Sequence, residues 1–199
     1  MKQNLSELIC TRLSHDIIGN IGAVANAAEL LEEGDMEFLD DIKSILKTSS
    51  GVLTARMKFF RLAFGLYNAN MENQDMLRTT AEAYLATLGG PAHPLRLDWS
   101  PVPPQYARVA LLGIMCVADT LIRGGQINVR PYQKGIMIIH DEQAQVSAEK
   151  VARIKEVVNS GEAGDNAQYA PAAYLLELIK DTGMQIYLVN SAGLGFVFE

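Results

Sequence analysis

Cysteine is nearly absent: the chain has two, Cys10 and Cys116, far apart and both in helical apolar contexts. That excludes a disulfide framework, and both read as reduced core residues of a cytoplasmic protein. Histidine is equally scarce, and three scattered copies beside two cysteines show no zinc-ligand spacing. There is no basic tract: 17 Lys and Arg stand against 23 Asp and Glu, for a net charge of −6. Nucleic acid is therefore excluded as the main partner, since phosphates need a basic surface to neutralise them. No apolar run approaches the ~20 residues that span a bilayer, and the first residues do not read as a signal peptide. A cytoplasmic protein with no membrane partner is expected. Internal repeats and low-complexity segments are missing too. What remains, 49% hydrophobic and 20% charged residues over 199 positions, is ordinary globular composition. It allows one large domain or two small ones, each with a real core.

The most informative stretch runs from Leu13 to Gly22, Leu-Ser-His-Asp-Ile-Ile-Gly-Asn-Ile-Gly. Apolar residues at Leu5, Ile9, Leu13, Ile17, Ile21, Val24, Ala28 and Leu31 recur in steps of three and four, one stripe of a helix over about Leu5 to Glu33. At ~100° per residue His15 points about 200° away from Leu13, off the stripe. Arg12, Ile18, Gly19, Gly22 and Asn26 fall within roughly 60° of it. The histidine is thus expected on an open, glycine-lined face beside an acid, Asp16, a display suited to another protein's active site. Gly34 stops the helix and Asp35 is the next N-cap. A second helix, about Met36 to Tyr67, carries a stripe at Leu39, Ile42, Leu46, Leu53, Phe60 and Ala63. Helices of this length joined by so short a turn lie antiparallel. A lone hairpin cannot cover its own stripes, and Phe59, Phe60 and Phe64 add bulk at its far end. A second copy would cover them, so a homodimer with an intermolecular four-helix bundle is expected.

After a polar linker, Asn68 to Gln74, the texture changes to alternating elements. The pattern predicts a helix over Asp75 to Leu88, a strand over Leu95 to Trp99, and a helix over Gln105 to Ile122 closed by Gly124-Gly125. Strands Gln126–Arg130 and Ile136–His140 form a hairpin through Pro131 to Gly135. Helices at Ala148–Asn159 and Ala170–Asp181 flank a glycine-containing loop, and strands Gln185–Asn190 and Gly195–Phe198 close the chain. Helices on one face of a small mixed sheet make an α+β fold, with a helical domain at 1–68 and a second domain at 75–199.

Ser14-His15-Asp16 resembles the phosphoacceptor box of two-component histidine kinases, with Asn20 standing where a proline is usual. The second domain resembles the ATP-binding (Bergerat) domain of those kinases with its chemistry removed. Counting back from Gly124-Gly125, Cys116 replaces the Mg²⁺-holding asparagine. Around Asp141 the adenine-reading glycines have become Gln143 and Gln145. The phosphate loop reads Asp165-Asn-Ala-Gln-Tyr-Ala-Pro171. A thiol is too soft to replace an amide oxygen on Mg²⁺, and an ATP site needs glycines where backbone meets phosphate. This combination is similar to the ChpT-like histidine phosphotransferases of α-proteobacteria, and the likeness covers nearly the whole chain.

That resemblance implies a phosphorelay intermediate in which His15 takes and returns a phosphoryl group. Asp16 orients the ring or accepts its proton, and Arg12, Ile18, Gly19 and Gly22 meet the partner. The implied partners are receiver domains of a hybrid histidine kinase and of response regulators, which would supply the Mg²⁺. No cofactor or metal of the chain's own is expected. The alternatives are a non-catalytic dimeric adaptor that binds receiver domains, and a diverged kinase that still uses ATP. His93 and His140 read as structural or exposed, and Asp141 as a leftover in a turn.

Overall fold

The computed structural model describes residues 4–34, 38–65, 71–189 and 193–199. Asn4 opens α1 (Leu5–Glu32) by accepting from the Ser6 N–H at 3.1 Å, which satisfies one of the free donors of the first turn. Gly34 follows in the left-handed conformation, φ +75°. The second helix, α2 (Leu39–Phe64), starts with Asp40 and Asp41 at its positive end. It stops at Gly65, whose N–H returns to the Arg61 carbonyl. The two helices pack along each other as the expected hairpin. The expected cap Asp35, the helix start at Met36 and end at Tyr67, the linker through Asn70, and the strand end at Asn190 lie outside the described residues.

The second part of the chain begins with α3 (Gln74–Ala86), capped by the Asn73 side chain on the Met76 N–H. Strand β1 (Leu95–Trp99) leads through a 3₁₀ turn at Pro104–Tyr106 into α4 (Ala107–Thr120). Expected to continue to Ile122, α4 ends earlier. Leu121 turns extended to bridge Val146, and the Ile122 N–H donates to the Gln145 carbonyl. Strands β2 (Gly125–Tyr132) and β3 (Gly135–His140) follow, then α5 (Ala148–Ser160), a 3₁₀ turn (Ala167–Tyr169), α6 (Ala170–Thr182), β4 (Ile186–Leu188) and β5 (Gly195–Phe198).

The β2–β3 turn is tighter than expected. Pro131 stays in the strand opposite Ile136, and only Gln133 and Lys134 form the loop, with Gln133 at φ +48°. Pro131 is tolerated because β1 pairs with β2 only as far as Val129, so the proline lies beyond the parallel partner. The sheet order is β1-β2-β3-β5-β4, with β1 and β2 parallel and the other pairs antiparallel. Period-2 alternation turns Ile127, Val129, Ile136, Ile138, Phe196 and Phe198 to one face, all buried.

Helix α4 lies on that face and touches β2, β3 and β5. Apart from Arg108 near its start and Asp119-Thr120 at its end it is apolar all round, as a buried helix must be. Gly113 lets it approach the sheet: a Cβ there would stand 2.6 Å from Ile138 Cδ1. Each fully buried Leu or Ile on α4 contributes about 1.5–3 kcal/mol. The same core runs on into the hairpin, where Phe59, Phe60, Leu62 and Ala63 join it beside Leu77, Tyr84 and Leu85. Phe59 stacks on Tyr84 with ring centroids 3.9 Å apart. The fold is α+β, a helical hairpin on a sheet domain, as the sequence pattern predicts.

Two expectations about α1 need correction. Arg12, expected on the open face, is buried along with Leu8 and Ala27, while Ile21 and Leu31 of the stripe stay uncovered within one chain, as expected of a lone hairpin. The 3₁₀ turn and α6 pack against the Leu8–Arg12 side, a second neighbour that periodicity along one helix cannot reveal. Cys10, expected in the core, is exposed; Cys116 is buried.

Candidate functional site

His15 stands midway along α1 with its side chain 86% exposed. Its Nδ1 lies 3.5 Å from Oδ1 of Asp16, whose carboxylate is mostly covered. The other oxygen, Oδ2, accepts from Arg12 Nε at 2.8 Å. Arg12 is not on the open face with His15: it is 8% exposed. Its fork reaches across to α4, donating to Asp119 Oδ2 at 2.8 Å and Oδ1 at 3.0 Å, and to the Gln168 carbonyl at 2.9 Å. Bidentate arginine–carboxylate geometry is the strongest form such a pair takes. Burial works against the Arg12 charge, but Asp119 and then Asp16 outweigh it and drive the guanidinium pKa up. Burial also pushes the Asp119 carboxyl up, against the pull of Arg12. Both Asp119 oxygens accept from the fork, so the two are held as an ion pair.

A second arginine grips the same place. Arg56 of α2 donates through NH1 to the Asp16 carbonyl, and through Nε and NH2 to the hydroxyl and carbonyl of Thr87 after α3. Asp16 is thereby tied to the rest of the protein by side chain and backbone alike. Beneath this cluster the Tyr84 phenol is buried, and burial, with Asp119 adding, pushes its pKa up.

The remaining predicted residues divide. Ile18 is 62% exposed, Gly19 is exposed and Gly22 half-buried. A Cβ at either glycine would meet nothing within 4 Å, so packing within the chain demands neither. They form an open strip running along α1 from His15. On the other side a cleft of ≈ 400 Å³ is lined by Thr11, Arg12, His15, Asp16, Asn166, Ala167 and Gln168. Its far wall is a 3₁₀ turn capped by Asn166 that contacts α1.

The position that the resemblance to kinase ATP-binding domains would assign to Mg²⁺ does not fit the ion. Cys116 is 1% exposed inside the core, and burial pushes its thiol far up, leaving a protonated soft donor. Among the described residues no three His, Cys, Asp or Glu cluster as a metal would need. Asp141 accepts from the Gln126 N–H and closes a turn. His140 is buried, its Nδ1 2.6 Å from the Asp141 carbonyl.

Sequence reasoning missed Asp119, Arg56 and Gln168. For Asp119 a signal was present: it is the lone acid of a mostly apolar helix, and a buried charge needs a partner. Arg56 and Gln168 carry no such mark.

Residues 78–192 match the histidine phosphotransferase C-terminal domain. The chain belongs to the histidine phosphotransferase family. Among relatives of this family, protein phosphotransferase ChpT of Brucella abortus (strain 2308) is 44% identical over 62 residues. That match spans 31% of this chain and 29% of the relative. A solved bacterial phosphotransferase structure superposes with a TM-score of 0.71 at 24% identity, covering 98% of this chain and 95% of that one. The last likeness is one of fold. Together they bear out the ChpT-like resemblance, and no described helix is long and apolar enough to cross a membrane.

Proposed function

We propose that the chain is a phosphorelay intermediate that passes a phosphoryl group between receiver-domain aspartates through His15. The observation that carries this is an imidazole 86% exposed beside a carboxylate held on its other side by Arg12. A nucleophile offered to another protein must project, and its orienting acid must not move with it. Phosphoryl transfer asks mainly for in-line positioning and charge stabilisation. The receiver brings Mg²⁺ and the phosphoaspartate; this chain brings His15, Asp16 and a docking face. Ile18, Gly19 and Gly22 form one side of that face, where absent side chains let a partner helix come close. Asn166 and Gln168, across the cleft, form the other. Arg12 supports this face from beneath rather than touching the partner.

Two further parts of the reading have their own support. A groove of ≈ 730 Å³ on the hairpin, lined among others by Leu13, Leu53, Met57, Phe60 and Phe64, suits a second copy, giving a homodimer with a four-helix bundle. The buried Cys116 speaks against ATP as a phosphoryl donor, so the donors and acceptors are a hybrid kinase's receiver and response regulators.

The test is label transfer. Wild-type chain and His15→Ala are each mixed with a receiver phosphorylated on aspartate, and separately with labelled ATP and Mg²⁺. Acid-labile, base-stable label on the wild type alone, and only from the receiver, is expected. Label from ATP would mean that a kinase survives. No label despite a bound receiver would leave the adaptor.

A further inference from the structure

We propose that Asp119, acting through Arg12, is a positioning residue for His15: it locks Asp16 so that one carboxylate oxygen faces Nδ1 and Nε2 is left outward to attack. This rests on the phosphotransfer reading above and adds a residue of the second domain to it. The links form one chain of contacts. Asp119 takes both ends of the Arg12 fork, at 2.8 and 3.0 Å. The third nitrogen of that guanidinium, Nε, holds Asp16 Oδ2 at 2.8 Å. Only Oδ1 then faces His15, at 3.5 Å from Nδ1.

An Arg–Asp pair four residues apart on an exposed helix orients little, because both side chains exchange it for water. Here the arginine is buried and planar, and its far side is already fixed by a second carboxylate and the Gln168 carbonyl. Its Nε–H therefore points one way, and Asp16 follows it. Arg56 fixes the Asp16 backbone independently, so neither end of that residue is free to swing. A neutral imidazole carries its proton on one nitrogen and its lone pair on the other, and the nitrogen facing a carboxylate keeps the proton. Asp16 thus selects the Nδ1–H form, in the way an outer-shell carboxylate sets the tautomer of a metal-bound histidine.

The chemistry balances on that form. The Nε2 lone pair forms the N–P bond as the P–O bond to the receiver aspartate breaks. The leaving oxygen departs with its electron pair as a carboxylate. Nδ1 keeps its proton, so the phosphorylated ring is cationic, and the fixed Oδ1 of Asp16 faces that new charge. Return transfer reverses each step. The sheet domain, in this account, no longer binds a nucleotide but sets the tautomer of a histidine on the hairpin.

Two variants test it. Asp119→Asn keeps the shape and removes the charge. The pair Arg12→Met with Asp119→Leu replaces the buried ions by apolar groups, an exchange that is often neutral or stabilising. Each is ¹⁵N-labelled for long-range ¹H–¹⁵N spectra of His15, and each is rapidly mixed with phosphorylated receiver over a concentration series. We expect both to melt cooperatively and to lose the Nδ1–H preference. Their maximal transfer rate should fall about ten- to a hundredfold, the usual effect of losing an orienting partner, and in Asp119→Asn, which keeps the Arg12 bond to the Gln168 carbonyl, half-saturating receiver should stay unchanged. Wild-type tautomer balance and maximal rate in folded variants would overturn the proposal and leave the clasp purely structural. If the wild type itself accepts no label, the phosphotransfer reading fails, and the tautomer spectra still decide the role of Asp119.

Discussion

Helices α1 and α4 are both rich in apolar residues, yet the fold treats them in opposite ways. Helix α4 is buried along nearly its whole length and keeps one acid, Asp119, satisfied by a cation from elsewhere. Helix α1 has three fully buried residues and leaves Ile18, Ile21, Leu30 and Leu31 open to solvent. In this structure α4 is a buried core helix, and His15, the proposed phosphoacceptor, stands exposed on α1. Arg12 marks the border: three residues before an exposed histidine, it belongs to the buried half.

The comparison breaks first, and most visibly, if Arg12 is removed. Arg12→Ala leaves Asp119 buried without its cation, a loss of about 3–5 kcal/mol. Differential scanning calorimetry should show the midpoint fall by roughly 6–20 °C at this chain length. A midpoint within a degree or two of wild type would mean that the clasp contributes nothing. Next in size, Leu112→Ala on α4 should cost about 2–5 kcal/mol, while Ile18→Ala on α1 should stay within about 0.5 kcal/mol. Urea unfolding at matched protein concentration measures both, and equal costs would erase the contrast between the two helices.

Thiol chemistry sharpens the same contrast without touching stability. Cys10 is exposed, whereas Cys116 is buried with its pKa driven up. A thiol reagent should modify Cys10 at once and Cys116 only on unfolding. Two fast thiols in the native protein would contradict the buried placement of α4. The smallest expected effect is at Gly19. An added methyl group meets nothing there, so Gly19→Ala should stabilise α1 by about 0.5–1 kcal/mol. If a receiver helix packs on that spot, the same variant should weaken receiver binding, measured by titration calorimetry. Unchanged binding would move the docking face toward Asn166 and Gln168.

Much of this architecture is legible in the chain itself, because spacing reports local structure directly. Leu95–Trp99 alternates and is a strand over that span, and Gly34, left-handed, follows the end of α1 as expected. His15 projects because a 200° offset from an apolar stripe leaves no other place for it. What spacing does not contain is the identity of a helix's second neighbour. Arg12 lies 60° from His15 on the helical wheel, and nothing along α1 says that the 3₁₀ turn and α6 cover that side. Cys10 is the reverse case: its apolar neighbours in sequence suggest the core, and the residue is exposed. Asp119 could have been questioned, since an acid within fourteen apolar-rich residues requires a partner, but which of the chain's cations answers it is decided by tertiary contact across 107 residues.

The central claim is that the exposed imidazole of His15 receives the phosphoryl group. After incubation with a receiver phosphorylated on aspartate, the chain should be digested under alkaline conditions and its phosphopeptides mapped by mass spectrometry. The account predicts one phosphoryl group, on the peptide containing His15, and none in His15→Ala. Phosphate on His93 or His140, or none at all while the receiver is bound, would contradict it.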